Sequence, residues 1–130
     1  MLQWTQWYLI LAAGLHVFFM IAELFPWRLP LLLGLVSKKL PNLSEVPPDD
    51  KPFTDKQRAL VATIVHNAGI YNGIVAGGLL WAAFGGASAT DVARVMLSGA
   101  AVAGIFGTIT LKSPVTAAQA AVGILGLILI

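Results

Sequence analysis

The chain has 130 residues, 58% of them hydrophobic and only 11% charged, with a net charge of +2 and no cysteine. That composition lies outside the soluble globular range and inside the membrane class, and the missing cysteines exclude a disulfide framework, thiolate metal sites and thiol nucleophiles. The small positive charge gathers mainly in one loop, where membrane topology accounts for it, so it argues against nucleic acid as a partner.

In chain order, residues 7–25 form the first expected span, with Trp4, Trp7 and Tyr8 placed as an interfacial aromatic belt. A cleavable signal is disfavoured here. No Lys or Arg precedes the apolar run, no small-x-small site follows it, and the run contains His16 and Glu23. Those two residues project from nearly the same helix face, about 10 Å apart along the axis, and share it with Ala12, Met20 and Trp27. Pro26 and Pro30 end the helix by removing backbone donors. Residues 29–36 are apolar but too short to span, which suits an interfacial or re-entrant segment, and residues 37–55 read as an exposed loop rich in proline and charge. Thr54, with Gln57 three positions on, has the capping-box pattern that opens the next helix.

Residues 59–84 contain no charged side chain and are long enough to span. At about 100° per residue, Gly69, Gly73 and Gly77 form a ridge that lets another backbone approach, with Ala76 beside it and His66 one turn before. Asn67 and Tyr71, spaced i, i+4, share the opposite side, and Asn72 points in a third direction. A helix polar in several directions has little surface suited to lipid, because an unsatisfied polar group costs several kcal/mol in hydrocarbon. It therefore belongs at the centre of a bundle or in a homo-oligomer joined through Gly69, Gly73 and Gly77.

A short turn leads to Asp91, a favourable first-turn carboxylate, and to a third span over residues 92–111 with small-residue seams at Ala100 and Gly104 and at Ala103 and Gly107. Ser113 and Pro114 suit a cap and first helical position for a fourth helix, residues 115–130, which holds Gln119 and is marginal in length. The expected fold is all-α, an integral membrane four-helix bundle forming a single transmembrane domain over residues 1–130. Arg28, Lys38, Lys39, Lys51, Lys56, Arg58 and Lys112 fall on one side of the bilayer and Arg94 alone on the other. This asymmetry predicts a multi-pass protein of the cell (inner) membrane, with loop 26–55 cytoplasmic and both termini external.

Two strings carry a family resemblance: H-V-F-F-M-I-A-E-L-F-P-W from His16 to Trp27, and N-A-G-I-Y-N-G from Asn67 to Gly73. A third, A-G-I-F-G, places Ala103, Gly104 and Gly107 in a small-residue motif. The chain resembles the small four-helix membrane proteins of domain of unknown function family 1304, with His16, Phe19, Glu23, Phe25 and Trp27 and then Asn67, Gly69, Tyr71, Asn72 and Gly73 on matching positions. Ala68 departs from the polar residue of that pattern, and the loop after Pro26 is longer and more acidic. The resemblance implies four helices and a bacterial or fungal membrane setting, and supplies no reaction.

Function must then be read from the polar residues. Glu23 and His16 are the candidates for acid and base chemistry, because a carboxyl buried in lipid surroundings becomes a proton carrier. Together with Asn67, Tyr71 and Asn72 they are the candidate ligand-binding set, a polar floor for an apolar cavity between the first two helices. His16, Glu23 and His66 are weak candidates for a metal, since the seven-residue spacing on the first helix is wider than helical metal sites use, and no cofactor is implied. No phosphate-binding glycine loop, nucleophile elbow or zinc-protease motif is present, and no enzyme class follows. The first expectation is a pocket for a lipophilic or amphipathic small molecule. The alternatives are a proton-coupled exporter of the small multidrug type and a structural or assembly subunit whose polar residues lock helices together.

Overall fold

The computed structural model describes residues 3–25 and 55–130. It contains four helices in order, α1 (Gln3–Leu24), α2 (Asp55–Phe84), α3 (Ala89–Leu111) and α4 (Pro114–Leu129), and no strand among the described residues. The fold is all-α. α1, residues 58–84 of α2, and α3 are each long and apolar enough to cross a membrane, whereas α4 has 16 residues and is shorter. The loop expected over residues 26–55, with its interfacial segment and four of its cations, lies outside the described residues apart from Asp55, which opens α2.

Local chemistry sets the helix ends. α3 begins three residues earlier than expected, and Asp91 sits in its first turn, where a carboxylate complements the exposed N–H groups. α3 closes on Lys112, whose backbone is left-handed at φ 49° and whose N–H donates to the Thr108 carbonyl. The chain then reverses at once. The Ser113 hydroxyl accepts from the Val115 N–H at 3.3 Å and Pro114 occupies the first turn of α4, the cap and proline arrangement expected.

The chain divides into two compact units, one built from residues 3–17 and 72–130, the other from residues 18–25 and 55–71. In the first unit all four helices contribute to one core: Leu9, Ala12 and Ala13 from α1, Leu79, Ala82 and Ala83 from α2, Ala93 and Leu97 from α3, with Val122 of α4 and Ile130, which caps it, packed against them. Alanine dominates because the helices approach closely. The contact between α3 and α4 is the tightest: a Cβ built on Gly123 would lie 2.5 Å from the Ala101 nitrogen and 2.7 Å from the Leu97 carbonyl oxygen, and one on Gly104 would overlap the backbone of Ala120. Between apolar helices in a lipid-like setting the hydrophobic effect contributes little, so stability has to come from such close packing. Ala100, Gly104 and Gly107 face inward as the seam predicts, but Ala103 is exposed.

In the second unit, Phe19 and Ala22 of α1 are buried, and Gly69 of α2 is buried beside Met20, Glu23 and Leu24, a built Cβ lying 3.2 Å from the Glu23 Cβ. The ridge expected to carry an oligomer contact is therefore divided. Gly69 is taken by packing within the chain, whereas Gly77 is exposed with nothing within 4 Å of a built Cβ.

Candidate functional site

Among the described residues, the polar side chain most fully enclosed is that of His16, with no exposed surface. It joins Leu9, Leu79 and Leu97 as one of the largest fully buried side chains, so a core position that would ordinarily take leucine holds an imidazole. Its Nδ1 lies 2.8 Å from Oδ1 of Asn72. With the amide oxygen as acceptor, the ring donates from Nδ1. Because the hydrogen bond joins α1 to α2 within the first unit, breaking it would leave a polar group desolvated among apolar neighbours.

Asn72 belongs to a row on α2 with alternating three- and four-residue spacing, Gly69, Asn72, Ala76, Leu79 and Ala83, all but the half-buried Asn72 being buried. This row is the inward face of the helix. Asn67 and Tyr71 lie off it, Asn67 exposed and Tyr71 63% exposed. Of the amides expected to form a polar floor with His16, the one that meets it within the first unit is Asn72, while Asn67 and Tyr71 are exposed. The spacing of the small residues around Asn72 was the signal that distinguishes the two faces.

Glu23 is half-buried beside Gly69, and His66 is exposed on α2. Among the described residues, no group of three or more His, Asp or Glu side chains comes together in a way that could hold a metal ion. Gln119, on α4, is half-buried. One contact goes beyond the sequence reading: the Tyr8 hydroxyl, expected at an aromatic belt, donates to the Val122 carbonyl and ties α1 to α4. Two threonine hydroxyls are satisfied within their own helices, Thr63 donating to the Ala59 carbonyl at 2.9 Å and Thr108 to the Gly104 carbonyl at 2.7 Å.

The outward side of α2 thus differs chemically from the other helix surfaces. In its most apolar 18-residue segment 11% of the residues are buried, against 33% in the corresponding segments of α1 and α3, and between a third of the way and the midpoint of residues 58–84 it presents a ring, an amide and a phenol: His66, Asn67 and Tyr71.

A match to the family described as "Protein of unknown function (DUF1304)" covers residues 49–130. That stretch includes α2, α3 and α4, while α1, with His16 and Glu23, precedes it. The chain is also similar to the uncharacterized protein YpaA of Lactococcus lactis subsp. lactis (strain IL1403), at 31% identity over 72 residues, which is 55% of this chain and 60% of that relative's length. The chain therefore spans less than two thirds of the curated relative it matches. No solved structure matches.

Proposed function

The chain belongs to the DUF1304 family of proteins of unknown function, and from that premise we propose that it is an integral membrane protein whose work is helix assembly. On this reading α1, α2 and α3 span the cell membrane, with the cation-rich loop 26–55 cytoplasmic and both termini external, and α4 completes the bundle by tilt or local thinning of the bilayer. Inward polar groups such as the buried His16 and the half-buried Asn72 hold the chain's own helices in register, and the outward face of α2 joins the protein to another transmembrane helix.

The observation that carries this reading is the exposure of Asn67 and Tyr71 within the apolar stretch of α2. An amide or phenol facing acyl chains without a hydrogen-bond partner costs several kcal/mol, so a partner helix is the stable complement. Native mass spectrometry of the protein released from membranes tests it. The expected result is a complex heavier than the single chain of 13.7 kDa, falling apart in the Asn67→Ala, Tyr71→Phe double variant with helix content unchanged. A wild-type protein that is released as single chains overturns the reading.

A pocket for a lipophilic or amphipathic molecule is the second reading, favoured by the complete burial of His16 and its bond to Asn72. In that case His16 would orient the ligand or exchange a proton with it. A small molecule that co-purifies with the wild-type chain and is lost in His16→Ala would favour the pocket over assembly.

A further inference from the structure

We propose that the partner helix is α2 of a second copy of this chain, packed parallel across a two-fold axis with Asn67 opposite Asn67. The inference rests on the assembly reading and names its partner. Three features of the outward face argue for it.

The first is spacing. Thr63, Asn67 and Ile70 follow one another at intervals of four and three residues, and Ile74, Gly77 and Trp81 continue the same alternation; all six are exposed. That 3.5-residue period is the seam of a left-handed helix pair, the commonest crossing between membrane helices. It is distinct from the inward row that contains Asn72.

Chemistry is the second. Counted along that seam, Asn67 takes the position at which a single buried asparagine fixes register in coiled coils. An amide both donates and accepts, so two Asn67 side chains related by a two-fold axis can satisfy each other. His66 and Tyr71 occupy the two positions that flank the seam, five residues apart. In a parallel pair, the flanking residue on one helix meets the residue five positions later on its partner. His66 of each copy therefore reaches Tyr71 of the other, a ring nitrogen facing a hydroxyl. The face is complementary to itself, which is not required of a surface meant for an unrelated helix.

Direction is the third feature. Seven of the eight Lys and Arg residues fall on one side of the proposed topology, so every copy inserts the same way up. Two α2 helices that meet side by side are then parallel, and each residue of the seam meets its own counterpart.

Because the chain has no cysteine, introduced cysteines report the contact directly. In native membranes treated with copper phenanthroline, Ile70→Cys is expected to form a disulfide-linked dimer, while Ile109→Cys on α3 and Ile128→Cys on α4, both exposed in the chain, stay monomeric. Co-expressed His66→Cys and Tyr71→Cys chains with different tags should give the mixed dimer. Adding Asn67→Ala to Ile70→Cys should weaken association roughly threefold to thirtyfold, the range for an interhelical hydrogen bond in a membrane, and Asn67→Gln should recover part of the loss. Absence of the Ile70 dimer, or equal cross-linking at Ile109, overturns the proposal. A native complex whose mass is not a multiple of 13.7 kDa overturns the second copy but leaves the assembly reading standing, whereas single chains in the native spectrum overturn both.

Discussion

The α3–α4 hairpin and α2 carry the same kind of signal in sequence, small residues at four-residue spacing, and use it in different ways. In the hairpin the signal is consumed within the chain: Gly104 and Gly123 meet backbone, and a Cβ on either would enter space that is already filled. On α2 it is divided, with Gly69 packed beside Glu23 and Gly77 open. A small-residue motif specifies that a backbone can come close. Which backbone comes is decided by what else shares the helix face: apolar alanines on α3 and α4, and the hydrogen-bonding groups of Asn67 and Tyr71 on the outward side of α2.

The comparison breaks most readily at the hairpin. Gly123→Ala and Gly104→Ala each force a methyl into a neighbouring backbone that has no rotamer to yield, so the loss should reach or exceed about 3 kcal/mol, the upper part of the overpacking range. Thermal unfolding in micelles, followed by circular dichroism, measures it. Wild-type stability in both variants would mean that α3 and α4 do not approach this closely.

The next effect belongs to the buried bond between α1 and α2. His16→Ala removes a fully buried ring and its 2.8 Å hydrogen bond to the Asn72 amide, a loss of about 1–3 kcal/mol for the hydrogen bond, with the cavity added to it. A double-mutant cycle with Asn72→Ala isolates the pair and should give a coupling of about 0.6–2 kcal/mol. Strict additivity would show that the two side chains do not interact. By contrast, Asn67→Ala and Tyr71→Phe should leave the unfolding of the single chain within about 0.5 kcal/mol of wild type, since neither supports the interior.

Much of the fold was legible before the structure. Unbroken apolar stretches marked three long helices, Ser113 and Pro114 marked the start of α4, and Ala100 with Gly104 marked a close helix contact without saying which helix makes it. The orientation of α2 was not legible in the same way. His66, Asn67, Tyr71 and Asn72 radiate in different directions around the helix, so the hydrophobic pattern has almost no preferred side. With polarity silent, choosing the outward amide, Asn67, or the inward one, Asn72, required the small-residue row running through Gly69 and Ala76, whose alternative use as an oligomer ridge looks identical in sequence. His16 lies in the interior; the amide that meets it was one of two offered, and only packing could select it.

The smallest effects sharpen the comparison most. Gly69→Ala places a methyl 3.2–3.4 Å from Glu23, Met20 and Leu24, a crowding of about 1 kcal/mol that a similar gain in helix propensity nearly offsets. Gly99→Ala and Gly77→Ala meet nothing within 4 Å, so each should hold or slightly raise the stability of the single chain, by up to about 1 kcal/mol. Association separates these last two. Gly99 lies on α3, off any proposed seam, and its alanine variant should associate as the wild type does. Gly77 lies on the α2 seam, where the added methyl would push two helices apart, so Gly77→Ala should lower the yield of the Ile70→Cys dimer while leaving thermal unfolding untouched. Equal dimer yields in the two variants would confine the close contact to the stretch around Asn67 and remove glycine from the account of how the copies meet.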